Sequence, residues 1–302
     1  MDEMSFFRSA VLLIKSRKEA LGLWIWCSTV AALIVGRGFP PLKPSLLSIT
    51  ATLFIAIAVY IYNDIVDVEA DRHNEYKSDR PLASGMVKKE TAMKLVYISS
   101  IVGLGVGLMN GFSSFIFHAL FFSLLILYSY PRVHLKKRYL IKESVISIGM
   151  IIISLSVSYA ILGMFSLRVF AGFFLFAVFA FFTIPTSFDS TDIDADTFQG
   201  VKSMASTMPL KQRMQMSLGV MIFIMTVTPL TYSYFGYNIL LPASVLLVGV
   251  SFLYLMYPLM TKLSQDTDTT EADIIIKARK IIVTFIFIIC GCVILGSLSL
   301  FY

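Results

Sequence analysis

Two clusters of acidic residues stand out because each of them follows a long apolar run. The first spans residues 63–71 and reads NDIVDVEAD, and the second spans residues 189–196 and reads DSTDIDAD. Carboxylates crowded at the edge of an apolar phase repel one another, and a bound cation reverses the sign of that interaction. Mg²⁺ prefers oxygen ligands and leaves coordination positions for water and phosphate oxygens. The clusters therefore predict a divalent metal site that holds a phosphorylated ligand.

Helical spacing places most of the first cluster on one stripe. If the cluster is the end of a helix, Asn63, Asp67 and Asp71 lie at i, i+4 and i+8 and share a face. Asp64 lies one position along and pairs with Asp67 at i+3. We interpret these four residues as metal ligands, and Asn63, Asp67 and Asp71 also as catalytic candidates.

The second cluster repeats this geometry. Asp192 and Asp196 lie at i and i+4, and Asp189 precedes Asp192 by one turn. These three are predicted metal ligands, and Asp192 and Asp196 are also catalytic candidates. Asp194 points away from the stripe and is expected to be solvated. Two facing stripes predict a pair of Mg²⁺ ions with a diphosphate between them, an arrangement that neutralises the charge of a departing diphosphate.

Basic residues near both clusters fit such a ligand. Arg80 follows the first cluster, Lys202 follows the second, and Lys136 and Lys137 follow the fourth apolar run. Cationic side chains of this kind bind diphosphate oxygens through charge-assisted hydrogen bonds. The Lys-Lys-Arg run that begins at Lys136 has an alternative interpretation, as a topology signal in contact with anionic lipids.

The composition is that of an integral membrane protein. Of the 302 residues, 57% are hydrophobic and only 15% are charged, and the mean hydropathy is +0.80. A soluble domain of this length would carry far more charge. Apolar runs long enough to cross a bilayer core predict an all-α bundle of nine transmembrane helices in a single domain, residues 1–302. The predicted helices cover residues 19–36, 45–64, 91–110, 112–130, 144–164, 167–188, 214–234, 239–260 and 280–301.

The distribution of charge predicts the orientation in the membrane. Nine spans place alternate loops on opposite sides, and all but three of the 25 Lys and Arg residues then fall on the side of the N-terminus. The exceptions are Arg37, Lys43 and Arg168, and all 19 acidic residues share the N-terminal side. By the positive-inside rule this side is cytoplasmic. Both acidic clusters are therefore predicted at cytoplasmic helix ends of a multi-pass protein of the cell membrane.

Three stretches of the sequence resemble motifs of the UbiA-type intramembrane prenyltransferases. Each of them lies at or just after the end of a predicted helix. They are Asn63-Asp64-x-x-Asp67-x-x-x-Asp71 with Arg80-Pro81-Leu82-x-Ser84-Gly85, then Tyr128-Ser129-Tyr130, and then Asp192-x-x-x-Asp196 with Gly200-x-Lys202-Ser203. The number of helices and the placement of the clusters extend the resemblance over most of the chain.

The resemblance implies a bundle around a central cavity that binds an isoprenyl diphosphate. Mg²⁺ on the two Asp motifs would hold the diphosphate, and its further contacts would be Arg80, Lys136, Lys137, Lys202 and Tyr128. Ionisation would give an allylic carbocation, which a lipophilic acceptor attacks, commonly at an aromatic carbon of a quinone precursor. Membrane lipids are expected neighbours, and no nucleic acid partner is expected.

Several features of the reaction stay open at this point. The acceptor could be a hydroxybenzoate, a naphthoate, a tetrapyrrole or a glycerol phosphate lipid, and the prenyl length and oligomeric state are not fixed. Relatives contact the substrate through a cation near the first helix, and no motif selects among Lys15, Arg17 and Lys18 for this role.

Two other classes of membrane protein use acidic residues. A CDP-alcohol phosphotransferase would carry Asp-Gly and Ala-Arg pairs in one cluster, and the acidic clusters contain neither pair. A cation-coupled transporter would place its ion-binding acids near the middle of the membrane. Here the acids lie at helix ends on one face, which favours an enzyme.

Overall fold

The computed structural model describes residues 5–74, 77–191, 193, 197, 200–263 and 270–299. Throughout these ranges the regular elements are helices, and no strand occurs. Nine helices within the same ranges are long and apolar enough to cross a membrane. The all-α, nine-span architecture predicted from the sequence is confirmed.

We number the α-helices in chain order. They are α1 (Phe6–Ser16), α2 (Lys18–Val35), α3 (Leu42–Arg72), α4 (Lys89–Met109), α5 (Phe112–Ser129), α6 (Ile141–Leu162), α7 (Leu167–Thr183), α8 (Met204–Thr207), α9 (Leu210–Thr231), α10 (Leu240–Lys262) and α11 (Glu271–Ser297). Short 3₁₀ turns cover Leu135–Lys137, Ile184–Thr186 and Asp189–Thr191. The candidate spans are α2 to α7 and α9 to α11, and α7 continues through the first 3₁₀ turn after it.

Tight turns join antiparallel neighbours where the sequence predicted breaks. Gly111 has a φ of 110° and precedes α5, and Gly163 has a φ of 70° and ends α6. Glycine adopts such positive φ values without the steric cost that other residues pay. α4 therefore packs against α5, and α6 packs against α7.

The first acidic cluster lies inside a helix. We predicted that the second span ends at residue 64, but α3 continues to Arg72. Charged residues end the apolar run without ending the helix, because basic side chains from other parts of the chain meet them. The whole cluster is therefore held on one rigid element.

The sixth span is shorter than predicted. α7 ends at Thr183 instead of residue 188, and 3₁₀ turns replace the helix from there on. Pro185 explains the break, because proline has no N–H to donate and its ring clashes with the carbonyl of residue i−4. Asp189 consequently sits in a 3₁₀ turn and not on the helical stripe that the sequence predicted.

Two further differences concern helix starts. α1 precedes the first predicted span and was missed because it is too short to cross a bilayer. α11 begins at Glu271 instead of residue 280, because the Thr270 side chain caps it by accepting a hydrogen bond from the Asp273 N–H at 3.2 Å. Helix ends with polar caps extend beyond the apolar run that a hydropathy pattern detects.

Helix α3 is the centre of one half of the bundle. It packs against α2, α4, α5 and α6, whereas α7, α9, α10 and α11 form a second group. α2 contacts both groups, and fully buried Trp24 on α2 meets Phe121 on α5 edge-to-face with ring centroids 4.7 Å apart. These contacts fix the end of α3, with its acidic residues, relative to α2 and α5.

A glycine on α4 allows its backbone to lie close to that of α3. A Cβ at Gly103 would lie 2.9 Å from the Ile55 backbone nitrogen and 3.1 Å from the Ala51 carbonyl oxygen, whereas a Cβ at Gly105 meets nothing within 4 Å. We expect Gly103→Ala to destabilise the protein by about 1–3 kcal/mol, because the backbones must separate. Gly105→Ala is the matched control. Thermal unfolding in detergent measures both, and equal midpoints for the two variants would contradict this packing.

Candidate active site

Two carboxylates of the first cluster share one guanidinium. Asp64 and Asp71 lie two turns apart on α3, and both are buried. Arg80, in the connection after α3, approaches Asp71 Oδ2 at 2.7 Å and Asp64 Oδ1 at 3.4 Å through its Nη1 atom. The oxygens of these two residues therefore converge on a single positive charge.

A second guanidinium reaches Asp64 from the N-terminal side of the chain. Arg17 lies between α1 and α2, and its Nε donates to Asp64 Oδ2 at 2.9 Å while its Nη2 contacts Oδ1. The Arg17 guanidinium also lies 5.6 Å from the centroid of the Tyr60 ring, within cation–π range. Lys15 and Lys18, which the sequence could not distinguish from Arg17, are exposed.

Burial governs the electrostatics of Arg17. Desolvation, followed by the positive charge of Arg80, lowers the pKa of the Arg17 guanidinium to about 10. The group is still protonated at neutral pH. It therefore remains available as a cation for Asp64 or for an anionic ligand.

The other members of the cluster form a separate group. Asn63 Nδ2 donates to Asp67 Oδ2 at 2.9 Å, and Ser129 Oγ donates to Asn63 Oδ1 at 2.6 Å. Lys136 contacts Asp67 Oδ1 through its Nζ atom and is buried, whereas Lys137 is exposed. The contact separates two lysines that the sequence left equivalent.

The predicted stripe is thus divided in two. Asn63 and Asp67 share a face as predicted, but Asp71 is linked through Arg80 to Asp64. A separation of seven residues brings two side chains closer in direction on a helix than a separation of eight, which explains the difference. Tyr128, the remaining predicted residue near this group, is half-buried beside Ser129 at the end of α5.

The second acidic cluster belongs to a longer stretch, residues 189–204, which we call the second acidic segment, and residues 63–71 are the first. The structure describes the second segment mainly at its two ends. Asp192, Asp194 and Asp196 lie outside the described residues. Asp189 is buried and forms an ion pair with Lys142, in which Asp189 Oδ1 lies 3.2 Å from Lys142 Nζ. Lys202, near the other end of the segment, is exposed.

Three side chains around this segment were not singled out from the sequence: Lys142, Glu143 and Arg213. Glu143 is 1% exposed, and its Oε1 accepts a hydrogen bond from the Met204 N–H at 2.8 Å. Arg213 on α9 is also buried and donates through Nη1 to the Pro185 carbonyl and to Ser190 Oγ, both at 2.6 Å. The available signal was a charged residue directly before a predicted apolar span, because such a residue at the membrane edge needs a partner.

One short stretch of chain connects the two acidic segments. Lys136 contacts Asp67, and Lys142, six positions later at the start of α6, contacts Asp189. Even a fully extended chain of this length spans only about 20 Å. Asp67 and Asp189, one residue from each acidic segment, therefore lie at the same end of the bundle.

The donor groups of the first cluster suit a hard divalent cation. Among the described residues no group of three His, Cys, Asp or Glu side chains already has the geometry of a metal site. Carboxylate and amide oxygens are nevertheless the ligands that Mg²⁺ prefers. Asp64 and Asp71 already converge on the Arg80 guanidinium, so the same oxygens can approach one positive charge.

Known proteins resemble this chain in sequence. Residues 24–276 match the UbiA prenyltransferase family. A digeranylgeranylglyceryl phosphate synthase from Sulfurisphaera tokodaii is 27% identical over 239 residues, which cover 76% of this chain and 79% of that protein. A 4-hydroxybenzoate octaprenyltransferase from Pseudomonas entomophila is 37% identical over 79 residues, which cover 26% of this chain and 27% of that protein.

Solved structures resemble this chain in fold. A solved structure of a digeranylgeranylglyceryl phosphate synthase matches this chain with a TM-score of 0.73 and 22% identity. The match covers 98% of this chain and 100% of that one. A UbiA homologue from Archaeoglobus fulgidus bound to GPP and Mg²⁺ has a TM-score of 0.62 and 15% identity over 94% of this chain and 99% of that one. With its family match and nine apolar helices in the part of the chain that the structure describes, this chain is an integral membrane prenyltransferase that belongs to the UbiA prenyltransferase family.

Proposed function

We propose that the protein transfers a prenyl group from an isoprenyl diphosphate to a glyceryl phosphate that already carries a prenyl chain. The extent of the sequence matches carries this proposal. Two relatives named digeranylgeranylglyceryl phosphate synthase are matched over 79% and 70% of their length. The relatives named 4-hydroxybenzoate octaprenyltransferase are matched over 27% to 43% of theirs. This favours the glycerol phosphate acceptor over the aromatic one that the sequence motifs placed first.

We propose that the acidic residues hold two Mg²⁺ ions and, through them, the diphosphate. The ligands are drawn from Asn63, Asp64, Asp67 and Asp71 in the first segment, and from Asp189, Asp192 and Asp196 in the second. A solved homologue with bound GPP and Mg²⁺ supports the metal. When bound, Mg²⁺ would neutralise the negative charge that develops on the leaving diphosphate.

The basic side chains of the chain itself would bind and orient the same diphosphate. Arg17, Arg80 and Lys136 already lie against the first acidic segment, and Lys202 lies beside the second. Guanidinium and ammonium groups form short, strong hydrogen bonds with phosphate oxygens. Tyr128, at the level of Asn63 and Ser129, is proposed as a further contact.

The reaction exchanges one carbon–oxygen bond for another. The bond between the prenyl C1 and the diphosphate oxygen breaks, and its electron pair leaves with the diphosphate. The acceptor hydroxyl oxygen then bonds to C1 and releases its proton. A site that excludes water prevents hydrolysis of the cationic prenyl group. The apolar helices of the bundle are suited to that exclusion, because water has few polar partners among them.

We further propose that the site faces the cytoplasm. Both acidic segments and nearly all basic residues share one side of the membrane in the nine-span arrangement. The positive-inside rule assigns that side to the cytoplasm. The diphosphate substrate is water-soluble at one end, so it would approach from this side.

A competition between acceptors tests the proposed function. Purified protein in nanodiscs is supplied with labelled geranylgeranyl diphosphate, Mg²⁺, and equal amounts of geranylgeranylglyceryl phosphate and 4-hydroxybenzoate. We expect label in the glyceryl phosphate product and release of diphosphate. Label found only in prenylated hydroxybenzoate would overturn the acceptor assignment and restore the aromatic one.

The two adjacent lysines give a matched test of the diphosphate contacts. Lys136→Met should raise the KM for the prenyl diphosphate about tenfold to a hundredfold, since a hydrogen bond to a charged group contributes about 1.5–3 kcal/mol. Lys137→Met, which removes an exposed charge one position away, should leave the KM unchanged. Thermal unfolding of both variants controls for the lost contact with Asp67. Equal KM values in the two variants would argue against the role of Lys136.

A further inference from the structure

We infer that Lys142 and Glu143, two consecutive residues at the start of α6, together position the second acidic segment by holding its two ends. The segment runs from Asp189 to Met204 and contains Asp192, Asp196 and Lys202. The inference rests on the proposed function only for its effect on the reaction. The positioning itself concerns contacts within the protein, and it can be measured without substrate.

The first end is held by an ion pair. Lys142 Nζ lies 3.2 Å from Asp189 Oδ1, and both residues are buried. A buried ion pair holds its partners firmly, because separating them leaves a charge without compensation in an apolar environment. The start of the segment is therefore tied to α6.

The second end is held by a buried carboxylate. Glu143 Oε1 accepts a hydrogen bond from the Met204 N–H at 2.8 Å, across 61 positions of sequence. Met204 opens α8, where Ser203 supplies the capping side chain to Ser206 N at 3.2 Å. Lys202 directly precedes Ser203, so the Glu143 contact also fixes the backbone close to Lys202.

The backbone before α6 is shaped to present this pair. Leu140, the residue that precedes the helix, has a φ of 64°, an unusual value for a leucine. Such a conformation costs free energy and persists only where the surroundings determine it. The turn at Leu140 begins the helix so that the adjacent side chains of Lys142 and Glu143 reach the two ends of the second acidic segment.

Residues 136–142 contact both acidic segments. Lys136, six positions before Lys142, contacts Asp67 on α3. A displacement at the start of α6 would therefore move the second acidic segment relative to the first. Groups that orient metal ligands without touching the metal typically change metal affinity by about 10-fold to 100-fold when they are removed.

Kinetics of Mg²⁺ activation test the effect on the reaction. Glu143→Ala and Lys142→Met should raise the Mg²⁺ concentration for half-maximal activity about 10-fold to 100-fold, with kcat at saturating Mg²⁺ nearly unchanged. Glu143→Gln keeps an oxygen that accepts from the Met204 N–H, so it should restore the wild-type Mg²⁺ dependence. The control is Glu90→Ala, an exposed acid in the first turn of α4.

The outcomes separate positioning from a general loss of structure. A variant that merely folds poorly loses kcat and keeps the Mg²⁺ constant, and this result for Glu143→Ala would overturn the inference. Glu143→Gln behaving like Glu143→Ala would also overturn it, because the negative charge and not the hydrogen bond would then be required.

A spin label tests the positioning in the absence of metal and substrate. All three cysteines are buried, so a nitroxide attached through Thr197→Cys reports selectively on this exposed position within the segment. Its mobility should increase when Glu143→Ala or Lys142→Met is added and should stay unchanged with Glu143→Gln. Unchanged mobility in all variants would overturn the inference even if the enzyme proved to be a prenyltransferase. Increased mobility without any prenyl transfer activity would support the inference and count against the proposed function alone.

Discussion

Four polar or acidic residues crowded at one end of a membrane helix impose the main constraint on this structure. Asp64, Asp67 and Asp71 cannot remain charged and close together beside an apolar phase without compensation. Three cations provide it, and each comes from a different part of the chain: Arg17, Arg80 and Lys136. The connections before α2, after α3 and after α5 therefore all contact the end of α3. This convergence places three positive charges against the acidic residues at the end of α3.

The same constraint explains how one site can bind both a metal and a diphosphate. Carboxylates alone would attract a divalent cation and repel phosphate, whereas cations alone would bind phosphate and leave the metal unheld. At the end of α3, carboxylates of the helix lie within hydrogen-bonding distance of cations from other parts of the chain. The carboxylates of Asp64, Asp67 and Asp71 would hold the metal, and the guanidinium and ammonium groups beside them would bind the diphosphate, which carries the opposite charge.

Much of the fold and part of the site could be predicted from the sequence. Apolar runs locate nine spans among the described residues because helices must satisfy their own backbone in lipid, and the helical period places Asn63 beside Asp67. The same period wrongly joins Asp71 to them, because Asp71 meets Asp64 through Arg80. Arg17 could not be distinguished from its basic neighbours, because the choice depends on the turn between α1 and α2. Lys142 and Glu143 resembled topology charges, since their partners are about fifty residues or more away in sequence. Pro185 explains why α7 ends early. The prediction extended the helix to residue 188 because it followed the apolar run and did not take this proline into account.

The central claim is that the acidic residues act through bound Mg²⁺ to hold the diphosphate. The most direct measurement is the binding of a labelled, non-hydrolysable prenyl thiodiphosphate to the purified wild-type protein, with Mg²⁺ and then with EDTA. The account predicts saturable binding with Mg²⁺ that is lost in EDTA and returns when Mg²⁺ is restored. Equally tight binding in EDTA would contradict it, because the basic side chains alone would then hold the diphosphate.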